Sequence, residues 1–146
     1  MARILIVEDD PHSARVLRCL IRSGTAHEVF VTLDADEVLR RCRAGEIDLG
    51  LFDVSLAGCV LDGNPIDGLG LCRLIKANAG DRRIPVILVT AHAMRGDAER
   101  LLRESGADDY VSKPVQDHDA MLRLVEEYLR NGAKAVASQW TECQTV

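Results

Sequence analysis

The side chains of this sequence that could carry out chemistry follow short apolar runs. An acidic triplet at residues 8–10 follows one run, Asp53 ends another, Thr90 ends a third, and Lys113 comes shortly after a fourth. Carboxylates that converge without a cation repel one another until one of them takes up a proton. A hard divalent cation removes that conflict, and Mg²⁺ prefers a few carboxylates together with water and phosphate oxygens. These residue types therefore predict phosphoryl chemistry at a magnesium site.

Each of these residues can take part in that chemistry. A carboxylate such as Asp53 can attack phosphorus and form an aspartyl phosphate. The Thr90 hydroxyl can donate to a phosphoryl oxygen, and Lys113 supplies a point charge for an anion. Taken singly, each is more typical of structure, because an Asp after a strand is usually a turn former and a Thr there is usually a good strand former. The functional interpretation depends on the whole set in this order.

Short apolar runs alternate with amphipathic segments along the chain. This alternation indicates parallel strands with right-handed crossovers. It predicts an α/β fold, a doubly wound five-stranded parallel sheet with five helices in a (βα)5 three-layer sandwich. Such sheets bind ligands beyond the carboxyl ends of their strands, which is where the residues above fall. The predicted strands are 4–7, 27–33, 47–53, 85–90 and 110–111, and the predicted helices are about 11–24, 34–45, 69–75, 95–105 and 117–131.

The composition is that of one globular domain: 146 residues, of which 47% are apolar and 28% charged. The net charge is −5 and the basic residues form no stripe, so we do not expect direct binding of nucleic acid. No apolar stretch approaches the roughly 20 residues that span a bilayer, and no signal peptide is evident. We expect a cytoplasmic protein without membrane insertion. The five cysteines form no C-x-x-C pair, which predicts reduced thiols that pack in the core.

Four stretches together resemble the receiver domain of two-component response regulators, over about residues 3–131. They are ILIVEDD at 4–10, LGLFDVSL at 49–56, PVILVTAHAM at 85–94 and GADDYVSKP at 106–114. The resemblance implies a flavodoxin-like fold and phosphotransfer from a histidine kinase or a histidine phosphotransfer protein. It also implies a change of conformation that controls a downstream effector protein, rather than turnover of a substrate.

The resemblance assigns a role to each residue of the set. Asp53 would accept the phosphoryl group, Thr90 and Lys113 would contact that group, and the peptide bond between Lys113 and Pro114 would be cis. The implied cofactor is Mg²⁺. Its ligands would be Glu8, Asp9, Asp53 and the backbone carbonyl of Ser55.

Three further positions match residues that act on the phosphorylated state in the family. Tyr110 would be the aromatic switch residue, which turns inward when Thr90 engages the phosphoryl group. Ser55 and His92 would flank the path of the water that hydrolyses the acyl phosphate. For His92 the alternative is a surface histidine without such a role.

The sequence departs from the family's pattern after the acceptor position. Family members usually have a proline there, followed by an Asp-Gly pair that opens the third helix. Ala57 stands where the proline is expected, and the Asp-Gly pair at 67–68 comes late. Residues 57–65 are therefore predicted to be an irregular loop insertion. It is either a surface extension without function, because loops tolerate length well, or a lid or docking element that exposes Cys59 and Val60.

Other classes of protein share this topology. An aspartate-nucleophile phosphatase needs a second Asp two residues after the nucleophile, where this sequence has Ser55. A flavin-binding domain needs a phosphate cradle after the first strand, where the acidic residues 8–10 would repel phosphate. A receiver that no longer accepts phosphate would lack a key residue, and none is missing.

We expect residues 1–132 to form the receiver domain and residues 133–146 to form a flexible tail, because the tail lacks sustained periodicity. The tail is too short for an output domain, so we expect the signal to pass through another protein. A stand-alone receiver and a receiver fragment of a larger regulator are both compatible with this sequence.

Overall fold

The computed structural model describes residues 2–78, 84–91 and 95–145. It confirms the predicted fold class, because five parallel strands form one sheet in the order β2-β1-β3-β6-β7 with helices on both faces. In chain order the elements are β1 (Arg3–Val7), α1 (Pro11–Gly24), β2 (Glu28–Val31), α2 (Ala35–Arg43), β3 (Leu49–Asp53), β4 (Val60–Leu61), β5 (Asn64–Pro65), α3 (Gly68–Asn78), β6 (Val86–Thr90), α4 (Arg95–Ser105), β7 (Asp109–Ser112) and α5 (His118–Thr145).

The core lies on both faces of the sheet. Every residue of β3 and β6 is buried, as expected for parallel strands that are covered on both sides. One apolar cluster joins the sheet to α2, α3 and α4, through side chains that include Val38, Leu71 and Leu101. A second cluster joins the opposite face to α1 and α5, through Leu17 and Val125 among others. The buried polar residues Asp53 and Thr90 lie at the ends of β3 and β6, respectively.

A network of polar contacts fixes the amino ends of β6 and β7. The buried Asp108 carboxylate accepts hydrogen bonds from Lys76 Nζ at 2.6 Å and from the Val86 backbone N–H at 2.8 Å. The Tyr128 hydroxyl donates to the Asp108 carbonyl at 2.9 Å. Because a buried carboxylate is stable only when it is paired and hydrogen-bonded, this network holds α3, α5 and both strands in register. At the carboxyl ends of the same strands lie two predicted site residues: Thr90 ends β6, and Lys113 directly follows β7.

Residues 57–65 are not the irregular loop that was predicted. Strands β4 and β5 form an antiparallel hairpin, in which Val60 pairs with Pro65 and Leu61 with Asn64. The two turn residues, Asp62 and Gly63, both have positive φ, at 52° and 83°. Asp-Gly favours this two-residue turn, because its twist matches that of the flanking strands. We call residues 57–65 the hairpin insertion.

The hairpin insertion exposes only one of the two side chains that the lid or docking alternative would expose. Val60 is 45% exposed, but that alternative is wrong about Cys59, because this side chain is only 1% exposed. Cys59 belongs to the apolar cluster that includes α2, and its carbonyl accepts a hydrogen bond from the Ile66 N–H at 3.0 Å. The insertion is thus anchored to the domain.

Most of the cysteine side chains that the structure describes pack in the core. Cys42, Cys59 and Cys72 are buried free thiols, while Cys19 is exposed on α1. Burial raises the pKa of Cys42 to about 11 and that of Cys72 to about 12. These thiols therefore stay protonated near neutral pH and act as apolar packing groups.

The last helix is longer than predicted. We expected it to end near residue 131, but α5 continues through Gly132 to Thr145. A glycine inside a helix costs only about 1 kcal/mol relative to alanine, and the alanines and lysine that follow it are good helix formers. The boundary between domain and tail at residue 132 stays a prediction. None of the helices in the described ranges is both long enough and apolar enough to cross a membrane.

Gly68 lets α3 begin directly against the end of β3. A Cβ atom at this position would lie 1.9 Å from the Asp53 carbonyl oxygen and 3.1 Å from the Val54 Cα atom. The Gly68 N–H also donates to the Val54 carbonyl at 3.1 Å. Only glycine allows this approach, because both neighbours are backbone atoms that no side-chain rotation can move. The late Asp-Gly pair therefore sets the path of the chain behind Asp53.

Gly68→Ala is expected to lower the free energy of unfolding by about 3 kcal/mol, because the new methyl group overlaps fixed backbone. Urea denaturation of the two proteins measures the difference. Gly63→Ala is the matched control, since its Cβ atom would meet nothing within 4 Å and only the positive φ would cost about 1 kcal/mol. Equal losses for the two variants would contradict the proposed role of Gly68.

Candidate functional site

Three carboxylates converge at the carboxyl ends of β1 and β3. Glu8 and Asp9 follow β1 directly, and Asp53 is the last residue of β3. Adjacent parallel strands β1 and β3 bring their ends together, with Val7 paired to Phe52. One oxygen from each carboxylate lies within 4.8 Å of the others. Glu8 and Asp53 are buried, at 3% and 7% exposure, so their charges are poorly screened by water.

Lys113 supplies the positive charge at this cluster. Its Nζ atom lies 2.5 Å from Glu8 Oε2 and 3.3 Å from Asp53 Oδ2. The Lys113 backbone N–H donates to the Thr90 carbonyl at 2.8 Å, which ties the end of β7 to the end of β6. The peptide bond between Lys113 and Pro114 is cis, as predicted. Burial works against the ammonium charge, but the hydrogen bond to Glu8 and the charge of Asp53 outweigh it and raise the pKa of Lys113.

Glu8 carries the largest electrostatic cost at the cluster. Burial raises the pKa of Glu8 from 4.5 to about 7, although the hydrogen bond from Lys113 works to lower it. The neighbouring charge of Asp53 adds to the rise. One ammonium therefore does not offset three carboxylates, and the site carries excess negative charge near neutral pH.

The Asp9 carboxylate is held by a backbone N–H, whereas Glu8 and Asp53 contact the Lys113 ammonium. Its Oδ2 atom accepts a hydrogen bond from the Ala57 backbone N–H at 3.1 Å. Partial burial works to raise the pKa of Asp9, but the hydrogen bonds that it accepts, that from Ala57 foremost, outweigh burial and lower the pKa. Sequence reasoning did not find this contact, because Ala57 was noted only as a replaced proline. The signal was present in that replacement, since proline has no N–H.

Asp10, the third acidic residue of the triplet, has a structural role. Its side chain caps α1 by accepting from the His12 N–H at 3.3 Å and from the Ser13 hydroxyl at 2.8 Å. An aspartate followed by proline at the start of a helix is typical of such a cap. The two carboxylates that precede it in sequence are therefore the ones available to the cluster.

Thr90 and Tyr110 lie on the two strands beyond Asp53. Thr90 ends β6, is 2% exposed, and follows Val89, the residue that pairs with Asp53. Tyr110 lies in β7 and pairs with Leu88 of β6. Its side chain is partly buried against the apolar cluster that includes α2, α3 and α4. Thr90 is thus at the same edge of the sheet as the carboxylates, while Tyr110 lies two residue pairs further from that edge.

The remaining predicted site residues stand as follows. Ser55 lies two residues beyond Asp53, and its side chain is exposed. His92 lies outside the described residues. Four of the predicted side chains lie within contact distance of one another in one cluster, namely Glu8, Asp9, Asp53 and Lys113. Thr90 lies at the same edge of the sheet, at the end of β6. Tyr110 lies inside β7.

The donor set fits a small hard cation. The three carboxylates present only oxygen ligands, and one oxygen of each already lies within reach of a common point. Mg²⁺ is bound in proteins by one or a few carboxylates together with water and phosphate oxygens. A divalent ion would also offset the negative charge of Asp53, which adds to the burial that raises the pKa of Glu8. Glu8, Asp9 and Asp53 are therefore the residues that could hold a metal ion.

Comparisons with known proteins agree with this geometry. The family model of the response regulator receiver domain matches residues 4–126. The DNA-binding response regulator MtrA of Mycolicibacterium smegmatis is 34% identical over 129 residues, which are 88% of this chain and 51% of MtrA. Response regulator PleD of Caulobacter vibrioides is 35% identical over 116 residues, which are 80% of this chain and 24% of PleD. The chain spans about half the length of MtrA and about a quarter of PleD.

Solved receiver domains have the same fold. The receiver domain of the sensor histidine kinase PA1611 from Pseudomonas aeruginosa has a magnesium ion coordinated in its active site cleft. It matches with a TM-score of 0.71 and 30% identity, over 88% of this chain and 97% of that one. The BeF3-activated receiver domain of Klebsiella pneumoniae RstA matches with a TM-score of 0.70 and 25% identity, over 88% of this chain and 98% of that one.

In the metal-free protein, the carboxyl group of Glu8 is expected to titrate near pH 7, which carboxyl ¹³C NMR can measure. Folding raises the pKa of Glu8, so the folded protein holds this proton more tightly. The resulting stabilisation is present below pH 4.5 and is lost as the pH rises through about 7. Between pH 4.5 and about 7, the free energy of unfolding of the wild type should fall by up to about 3 kcal/mol relative to that of Glu8→Gln. A midpoint near 4.5 would contradict the electrostatic account.

Proposed function

Because the chain belongs to the response regulator receiver domain family, we propose that Asp53 accepts a phosphoryl group from a phosphohistidine donor in the presence of Mg²⁺. The observation that carries the proposal is the convergence of Glu8, Asp9 and Lys113 on the Asp53 carboxylate. The family match and the Ser55 position both count against an aspartate-nucleophile phosphatase.

The proposed metal ligands are the three carboxylates of the cluster and the backbone carbonyl of Ser55. When bound, Mg²⁺ would neutralise charge on the carboxylates and on the incoming phosphoryl oxygens. The three carboxylates are Glu8, Asp9 and Asp53. Loss of one of them should weaken the affinity for the metal, because each supplies a negatively charged oxygen.

The chain's own residues would then divide the work of transfer. A carboxylate oxygen of Asp53 attacks phosphorus, the phosphorus–nitrogen bond of the donor breaks, and the donor's imidazole nitrogen leaves with the bonding electrons. Lys113, which lies 3.3 Å from Asp53 Oδ2, is placed to pair with an oxygen of the transferred group. Thr90 at the end of β6 supplies the hydroxyl donor. Positioning and charge stabilisation are sufficient, because phosphoryl transfer needs little other chemistry from the protein.

The switch would be a population shift. A phosphoryl group on Asp53 favours the conformations in which the Thr90 hydroxyl bonds to it, so it biases an equilibrium that already exists in the unmodified domain. Tyr110 on the adjacent strand is the proposed second member of the switch, and the proposed responding surface consists of the last two strands, β6 and β7, with α4 and α5. The partners are a histidine kinase or a histidine phosphotransfer protein on one side and a downstream effector protein on the other. A role as a switch in the cytoplasm, without substrate turnover or direct binding of nucleic acid, is part of this proposal.

Incubation with acetyl phosphate and Mg²⁺ is expected to add one phosphoryl group, because a carboxylate that is oriented and charge-compensated can take the group from a small donor. Intact-mass spectrometry measures the product. Omission of Mg²⁺ should remove most of the labelling. Asp53→Ala should abolish it, whereas Asp62→Asn, at an exposed acidic residue in the hairpin turn, should leave it unchanged.

Two results would contradict this assignment. Labelling that survives Asp53→Ala would place the acceptor elsewhere. Sustained hydrolysis of a phosphomonoester by the purified protein with Mg²⁺ would favour a phosphatase over a switch.

Thr90→Ala is expected still to accept the phosphoryl group, although more slowly than the wild type, and to lose most of its conformational response. A hydrogen bond to a charged group contributes about 1.5–3 kcal/mol, so its loss should lower the population of the switched state about tenfold. Hydrogen exchange of β7 before and after phosphorylation measures that population. Thr90→Ser retains the hydroxyl and should respond like the wild type. An undiminished response in Thr90→Ala would rule out Thr90 as the switch residue.

A further inference from the structure

The hairpin insertion touches the acidic cluster through one backbone group. The Ala57 N–H donates to Asp9 Oδ2 at 3.1 Å, although the two residues are 48 positions apart in the sequence. Ala57 is the first residue of the insertion and lies on the surface. The contact therefore joins a surface element to a carboxylate that belongs to the proposed metal site.

The position of this N–H is fixed from both sides. On one side, the Val54 carbonyl accepts from the Gly68 N–H at 3.1 Å, which closes the chain behind Asp53. On the other side, the Ile66 N–H donates to the carbonyl of the buried Cys59 at 3.0 Å. The side chains of Leu56, Leu61 and Ile66 pack against the apolar cluster. Ala57 therefore lies in an anchored segment and not at a free loop tip.

The hydrogen bond leaves room for a cation. A carboxylate has two oxygens with about four lone-pair sites in all, and Ala57 uses one site on Oδ2. The contacts of Asp9 with Glu8 and Asp53 are with the carboxylates that would share the metal ion, so a bound cation would take their place. A donor of this kind fixes the orientation of a ligating carboxylate, and the loss of such partners typically weakens metal affinity about 10–100-fold.

This contact depends on the residue type at position 57. The sequence has alanine where the family pattern has proline, and proline has no backbone N–H to donate. The replacement and the hairpin insertion occur together at the same place in the chain. The hairpin insertion thus begins with a backbone N–H that donates to Asp9, and the folded hairpin holds this N–H in place.

We infer that the Ala57 N–H is a positioning group for Asp9, and that it couples the conformation of the hairpin insertion to occupancy of the metal site. The inference rests on the proposed function and deepens it. Coupling between two sites is reciprocal. If the anchored N–H favours cation binding at Asp9, a bound cation must favour the hydrogen-bonded hairpin by the same factor.

Removal of the N–H tests the first half of the inference. Ala57→Pro should bind Mg²⁺ about tenfold more weakly than the wild type in isothermal titration calorimetry. Ala57→Ser is the matched control, because it keeps the N–H at an exposed position, and its affinity should stay within about twofold of the wild type. Equal Mg²⁺ affinity for the folded proline variant and the wild type would overturn the inference.

Hydrogen exchange in the wild type tests the second half and does not depend on whether the proline variant folds. Saturating Mg²⁺ should slow exchange of the Ala57 amide about tenfold, the factor that reciprocity requires, and should slow exchange across the hairpin insertion more than at the amino end of β7. Unchanged exchange at Ala57 would overturn the coupling. A wild type that binds no Mg²⁺ would instead contradict the proposed function, so the two failures are distinguishable.

Discussion

Three carboxylates and one ammonium meet at the carboxyl ends of β1 and β3, and the properties of the site follow from this uneven balance of charge. Lys113 bridges Glu8 and Asp53 but cannot compensate Asp9 as well. Burial is the main cause that raises the pKa of Glu8 to about 7, and the neighbouring charge of Asp53 adds to this cost of ionisation. A divalent cation would relieve that cost, whereas a phosphoryl group is itself anionic and adds negative charge. The excess negative charge of the metal-free cluster therefore favours binding of the metal ion that the proposed reaction requires.

The fold confines this charge to one edge. Between their ends, β1 and β3 carry only apolar side chains and a glycine, so the polar side chains of the site occur where these strands end. The close approach of Gly68 to the Asp53 carbonyl then fixes the backbone behind the acceptor. At the opposite edge, Asp108 and Lys76 hold the amino ends of β6 and β7. The site is thus supported by rigid elements, as pre-organised chemistry requires.

The parallel sheet and the gathering of Glu8, Asp53 and Lys113 could be predicted, because apolar runs mark buried strands and parallel strands end at a common edge. The insertion at 57–65 was predicted, but its hairpin structure was not, despite the Asp-Gly turn signal, because each of its strands has only two residues. Burial of Cys59 depends on how the insertion crosses α2, which is a tertiary property. The replacement of proline by Ala57 did indicate an additional backbone N–H, but its partner Asp9 could not be predicted, because only the fold brings these two residues together.

The central claim is that Asp53 is the residue that carries the phosphoryl group. Borohydride reduces an acyl phosphate to an alcohol and releases phosphate, so an aspartyl phosphate becomes homoserine at the position that held it. Protein phosphorylated with acetyl phosphate and Mg²⁺ would be reduced in this way, digested, and mapped by peptide mass spectrometry. The account predicts homoserine at position 53 and at no other aspartate. Homoserine at another position, or phosphoprotein that yields none, would contradict it.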